Sequence, residues 1–418
     1  MRTLLHRLVD VRPHEVRGLV WSFAYFLALL TAYSILKPVR DEMAIAGDTR
    51  HLQWLFTATF VGTLVAVPVF SAVAGRFPRR RFVPWIYRFV AVTLLAFFAL
   101  WRADVAPVWI ARAFFVWVSV FNLFITSVFW AFLADVFDSD QAKRLFGFVA
   151  AGGTIGAMTG PLLAATLAPL TGPVLLLPLS ALLFEGAARA AGRVARWAGE
   201  SPTHDDRPIG GRPLAGLPLL VRSPYLLAIA LQTLLFAITS TILYAQYLSL
   251  VEAAVGDPAA RTALFGWVEL GTNALALALQ LAVSGRILEK AGLAVSLALQ
   301  PLLTAAGFVG LGLAPFLGVA VALFGLRRSV HYAVERPARE VLFTSVGREA
   351  RYKSKSFIDT VVYRGGDAVS GWINAAFRAL GLGAGGAAAA AIPFALVGIV
   401  LAVFLARTHE RTTPEEDR

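Results

Sequence analysis

"GLVWSFAYFLALLTAYSILKPVRDEMAIAGD", residues 18–48, runs for nineteen positions without a formal charge and then places Lys37, Arg40, Asp41 and Glu42 within six. A bilayer core of about 30 Å is crossed by about 20 apolar residues of helix, so 18–36 reads as a membrane span and the charges as its end. The rest of the chain repeats the pattern. Of 418 residues, 58% are apolar and 15% charged, with a mean hydropathy of +0.68. That is more apolar surface than a water-soluble globule of this size can hide, so lipid is the solvent. The net charge of +12 is spread between apolar runs rather than gathered in one patch, which argues against nucleic acid as a partner. Cysteine is absent and the six histidines are scattered, so no disulfide, metal site or cofactor is expected.

Twelve spans are expected, near 17–36, 52–74, 82–101, 107–134, 145–168, 173–190, 224–250, 262–284, 292–313, 315–340, 356–379 and 386–406. Every second connection is then basic. These connections carry Arg76 and Arg79 to Arg81, Lys143 and Arg144, the stretch 189–222, Arg286 and Lys290, and Arg348 to Lys355. By the positive-inside bias both termini are cytoplasmic and the span count is even. The first span reads as a retained helix rather than a signal peptide, because its apolar run is long and another span follows closely. Four prolines between 202 and 218 change the character of the chain at 192–222, which reads as a cytoplasmic linker. It separates an N-terminal six-helix bundle, 1–191, from a C-terminal one, 223–418, that ends in a short cytoplasmic tail. The expected fold is thus an all-α membrane protein with twelve transmembrane helices in two pseudo-symmetric bundles.

The two halves echo each other. "YSILKPVRDEMAIAGD" (33–48) matches "STILYAQYLSLVEAAVGD" (240–257), "SAVAGRFPRRR" (71–81) matches "AVSGRILEK" (282–290), and "GAMTGP" (156–161) matches "DAVSGW" (367–372), at shifts of 207 to 211 residues. A repeat of half the chain implies a pseudo-symmetric transporter that exposes its solute alternately to either side. The 71–81 stretch resembles the basic loop after the second span of the major facilitator superfamily, without its aspartate. That resemblance makes Arg76, Arg80, Lys143, Arg144 and Arg286 candidates for gating loops. "GAMTGPLL" in the fifth span resembles that superfamily's antiporter motif. Equally, Gly152, Gly156 and Gly160 form a small-xxx-small ladder that any close helix pair uses.

Lys37, Arg40 and Asp41 share a helix face with Tyr33, while Glu42 points elsewhere. One reading is a helix end whose basic side chains snorkel to water. The other is a binding site, because Pro38 removes a backbone donor and frees the Ser34 carbonyl just where the cations stand. In the tenth span, "RRSVHYAVERPARE", Arg328, Tyr332, Glu335 and Arg339 recur as one polar stripe, and Arg327 and Arg328 fall near mid-membrane. Charges at that depth are functional candidates by default. Pairing within the helix, Glu335 with Arg339 and Arg336 with Glu340, is the simpler alternative. In the eleventh span Asp359, Arg364 and Asp367 stand close, the last two at pairing distance. Arg88, Arg112, Glu185 and Glu269 are isolated charges within spans, placed to bridge helices or to act.

These residues resemble a known family, the ATP/ADP translocases of plastids and intracellular bacterial parasites. "ILKPVRD" (35–41) keeps that family's two basic positions, Lys37 and Arg40, and Asp41. "FWAFLAD" (129–135) and "QAKRLF" (141–146) keep its spacing, and "RPAREVLF" with "RYKSKSFID" matches at Pro337, Arg339, Glu340, Lys353, Lys355 and Asp359. Departures are Pro38 for an aspartate, Ala134 for an asparagine, and Asp367 near a basic position. The resemblance implies a transporter, expected here as a multi-pass monomer of the bacterial inner membrane, and since no nucleophile-and-base pair or metal-ligand spacing stands out, no enzyme is expected. The resemblance further implies an antiporter of nucleotides or another phosphorylated anion, with Lys37, Arg40 and Arg339 on the family's basic positions; Arg328 and Tyr332, from the tenth-span stripe, are expected to hold the solute with them. Asp41, Glu269, Glu335, Asp359, Arg364 and Asp367 are expected to pair charges or couple. The alternatives are a proton-coupled permease or exporter of a metabolite, with Glu269, Asp359 or Asp367 carrying the proton, and a non-transporting sensor or scaffold.

Overall fold

A computed structural model describes residues 11–74, 76–77, 79–198 and 217–412. All of the regular structure in these residues is helical. Ten helices are long and apolar enough to cross a membrane. They are α1 (Val16–Ala46), α2 (Leu52–Ala74), α3 (Arg79–Arg102), α4 (Pro107–Val136), α5 (Ser139–Thr171), α6 (Leu176–Trp197), α7 (Pro224–Ala254), α8 (Pro258–Leu279, continuing to Lys290), α9 (Gly292–Leu313) and α12 (Ala384–Thr412). The remaining two spans are α10, from Leu317 to Leu342, and α11, from Arg348 to Ala379. Their charged residues take them off the apolar count without shortening them. The twelve-helix, all-α membrane fold read from the sequence is the fold observed. The expected linker lies mostly outside the described residues, with α6 running to Trp197 and a short helix, Leu217–Arg222, preceding α7.

Local chemistry sets the breaks. Asp138 and Gln141 form a reciprocal capping box at the start of α5, and Ser223 caps α7 with Pro224 in the first helical position, both arrangements that satisfy or remove orphan N–H groups. Gly172 turns the chain from α5 into α6 at φ 78°, a conformation glycine adopts without strain. The expected end of the first span is corrected here. α1 does not stop at residue 36 but continues to Ala46, so Lys37 lies about 13 Å short of its end.

The chain forms two compact units. The first comprises Met1–Gly47, Val69–Gly210 and Gly256–Leu270, and the second Asp48–Pro68, Gly211–Val255 and Gly271–Arg418. In the first, α1 packs against α5 so closely that a Cβ at Gly156 would lie 2.6 Å from the Leu27 carbonyl oxygen, and one at Gly160 2.7 Å from that of Thr31. The glycine ladder therefore brings two backbones together, as small residues do between helices in lipid. Ser180 of α6 donates to the Ala32 carbonyl at 2.9 Å. In the second unit α11 packs comparably closely on α7. A Cβ at Gly366 of α11 would meet that of Ala237 of α7 at 2.7 Å, and Ser370 donates to the Ile238 carbonyl at 3.0 Å.

Candidate functional site

In the first unit the charge cluster of α1 meets α8. The Lys37 ammonium donates to Glu269 at 2.7 Å and lies 5.4 Å from the centre of the Tyr33 ring. Glu269 is nearly enclosed, its side chain 7% exposed against 21% for Lys37. Glu42, read from the sequence as pointing elsewhere, accepts two hydrogen bonds from Arg261, each 2.7 Å. This parallel pair of bonds is the strongest geometry available to arginine and a carboxylate. Arg40 is held by its neighbour Asp41 at 2.7 Å and lies over Phe115. Arg112 caps the end of α1 by donating to the Gly47 carbonyl at 2.8 Å. Each isolated charge thus has a bridging role, and the α1 helix continues past Lys37 because its charges find partners inside the protein.

At the other end of α1, Arg144, expected in a gating loop, bonds Glu15 at 2.9 Å. Burial alone would raise the Glu15 carboxyl, but hydrogen bonds from Arg144, the Arg12 backbone N–H and Gln141 outweigh it and hold it at about 2. Arg76, Lys143 and Arg286 are exposed, and the side chain of Arg80 lies outside the described part.

In the second unit a line of ionisable groups runs inside α10. Arg327 is 2% exposed and donates to Thr304 (2.8 Å), Ser240 (2.7 Å) and Thr239 (2.9 Å), tying α9, α7 and α10 together. Four residues on, the His331 ring stacks on Phe236 at 4.2 Å. Its Nδ1 lies 2.6 Å from the buried Glu335 carboxylate. Four further on, Arg339 reaches Asp359 of α11 at 3.6 Å and Thr233 at 3.4 Å. The expected stripe of Arg328, Tyr332, Glu335 and Arg339 is therefore corrected. The inner line is Arg327, Glu335 and Arg339, all buried, with His331 12% exposed at its side chain between them, while Arg328 and Tyr332 are half-buried, with Arg328 lying over Phe324 and Tyr332. The cause is a π turn at His331–Glu335, which takes up one more residue than an α turn and moves the register by one. A second π turn, Ile358–Val362, carries Asp359. Glu340 bonds Lys355 rather than Arg336. Arg364 pairs with Asp367 at 3.3 Å, and Asp367 also accepts from Thr241 at 2.8 Å.

The structure brings together Lys37 with Glu269, Arg40 with Asp41, Arg339 with Asp359 and Arg364 with Asp367. Sequence reasoning missed His331, the Glu42–Arg261 pair and the anchoring by Arg327. The signal for His331 was the four-residue spacing of 327, 331, 335 and 339, and that for Arg327 was its depth in the span. No group of histidine, cysteine and carboxylates suited to a metal occurs among the described residues.

Comparison with solved structures places the chain beside membrane transporters. A bacterial homologue of the iron transporter ferroportin in an inward-facing state is 11% identical, covering 94% of this chain and 98% of that one, with a TM-score of 0.69. A bacterial homologue of the human lysosomal transporter Spinster is 14% identical, covering 97% and 99% with a TM-score of 0.63. The nucleoside transporter NupG is 13% identical, covering 96% and 99% with a TM-score of 0.60. At these identities the likeness is one of fold. Comparison with curated protein sequences gives no match. The sequence profile of the Major Facilitator Superfamily matches residues 19–334, three quarters of the chain, and the protein is therefore a member of that superfamily.

Proposed function

We propose that this transporter exchanges phosphorylated anions of the nucleotide class by alternating access in a bacterial inner membrane, with both termini cytoplasmic. The bundles 1–191 and 223–418 are the moving parts in this reading. The observation that carries it is the Lys37–Glu269 bond at 2.7 Å. With Glu42–Arg261, it fastens α1 of one half of the sequence to α8 of the other. A nearly buried ion pair is lost only at high cost unless a new partner replaces the carboxylate. A phosphate group supplies that replacement for Lys37, and for Arg40 in place of Asp41. The carboxylates then serve as stand-ins for the cargo, so the empty carrier stays fastened and exchange follows. The resemblance to nucleotide translocases at Lys37, Arg40 and Arg339 supports the choice of solute.

The test is a thermal-shift panel of purified protein against ATP, ADP, sugar phosphates and uncharged nucleosides. Phosphorylated compounds are expected to raise the melting temperature, and Lys37→Met to remove the rise. Stabilisation by nucleosides alone, or by none of the panel, would refute the reading.

One observation favours a second reading. The His331–Glu335 contact at 2.6 Å inside the second unit, beside Arg339 and Asp359, is a titratable pair able to carry a proton. In this reading uptake follows an imposed pH gradient and stops in Glu335→Gln, while solute counterflow survives.

A further inference from the structure

In the first unit, α3 and α6 form a groove with a cavity volume of about 450 Å3. Its walls include Ala91, Leu95, Pro178 and Leu182, and Arg88 and Glu185 lie at one end. Glu185 holds two arginines at once, through Arg88 Nε at 3.2 Å and Arg189 Nε at 2.9 Å. The cluster has a net positive charge. Both contacts use Nε, so the terminal amino groups of both guanidiniums make no hydrogen bond to any described residue. The side chains are 43% and 71% exposed, and the neighbouring Trp85 is 67% exposed.

Arg88 lies nine residues into α3 from Arg79, about 13 Å along the helix, and Arg189 lies eight residues from the Trp197 end of α6, about 12 Å. The Arg88 guanidinium lies over the Trp85 ring at 5.9 Å, and Arg189 opens the basic stretch 189–222 that follows the sixth apolar run, so the pair faces the headgroup edge of the span. Free donors and a surplus positive charge in that setting need acceptors from the lipid itself.

We propose that the α3–α6 groove binds one anionic phospholipid. Its phosphate accepts hydrogen bonds from Arg88 and Arg189, and an acyl chain lies along Leu95, Pro178 and Leu182. Charge complementarity selects this occupant. A zwitterionic lipid gives the cluster no net attraction, and a free phosphate does not fill an apolar wall. Glu185 orients the two guanidiniums and weakens the site's attraction for the anion.

The test reconstitutes the full chain in vesicles of equal phosphatidylglycerol and phosphatidylcholine, followed by gentle extraction and native mass spectrometry. One phosphatidylglycerol per chain is expected to be enriched over phosphatidylcholine. Enrichment is expected to fall about fivefold in Arg88→Gln and by a similar factor again when Arg189→Gln is added. Glu185→Gln raises it. Leu182→Trp fills the groove while keeping every charge, so it lowers enrichment independently of how well the arginine variants fold. Absence of enrichment in the parent protein, enrichment unchanged in the double arginine variant or in Leu182→Trp, or equal protection by inorganic phosphate alone would overturn the proposal. So would cross-linking of Leu182→Cys, the sole cysteine in such a chain, mainly to a second copy.

Discussion

Lys37 and Glu42 lie five residues apart on α1 and meet partners of opposite sign eight residues apart on α8. The two bonds differ in kind. Glu42 and Arg261 are both closed off, at 2% and 8% exposure, and removing one leaves the other charge stranded. Glu42→Gln is expected to cost about 3–5 kcal/mol of stability, and the exchanged pair Glu42→Arg with Arg261→Glu to recover most of it, in thermal unfolding in detergent. Arg327 has no such carboxylate but four hydrogen bonds to hydroxyls and a carbonyl. Arg327→Met is expected to cost about 2–3 kcal/mol, and Arg327→Lys to restore little, because a compact ammonium does not span the fork that guanidinium spans. At the opposite end of α1, Glu15 gives a pH signature. Its carboxyl is lowered from 4.5 to about 2, so its contribution is complete above 4.5 and is lost as pH falls toward 2. The melting difference between parent and Glu15→Gln is therefore expected to be constant from pH 8 to 5 and to shrink below 4.5. At this scale the sequence marks which charges matter, since charges in apolar runs stand out. Their partners were not legible, because Lys37 and Glu269 are joined only by the fold.

Among the helices, α5 shows which of its glycines pack against another backbone. Gly156 and Gly160 touch the backbone of α1, whereas Gly147 of the same helix has nothing within 4 Å of its would-be Cβ. Gly156→Ala and Gly160→Ala are each expected to destabilise by about 1–3 kcal/mol, and Gly147→Ala to be neutral or to stabilise by up to about 1 kcal/mol. Melting temperatures of the three variants check this. Helix ends were the weakest part of the sequence reading. The charges after Leu36 mimic an ordinary interfacial helix end, and only partners supplied by α8 and α4 let α1 continue to Ala46. The π turns of α10 and α11 were equally hidden, since no residue preference announces them. They show only as a register shift that turns His331 inward and Tyr332 aside.

For the whole molecule, the superfamily rests on the profile match over residues 19–334, while the number of spans follows from apolar runs of the right length, an alternation of basic connections and a repeat. These are the features that a bilayer imposes on any chain crossing it. In the proposed reading, what holds the empty carrier is a finer matter, resting on a few ion pairs between helices distant in sequence. The account's central claim is that Glu269 occupies Lys37 in place of the cargo. The most direct measurement is uptake of labelled ATP into proteoliposomes, either empty or preloaded with unlabelled ADP, for the parent protein and for Glu269→Gln. The account predicts uptake by the parent only into preloaded vesicles, and uptake by Glu269→Gln into empty ones as well. Equal uptake by the parent into empty and loaded vesicles without a gradient, or a Glu269→Gln variant indistinguishable from the parent, would contradict it.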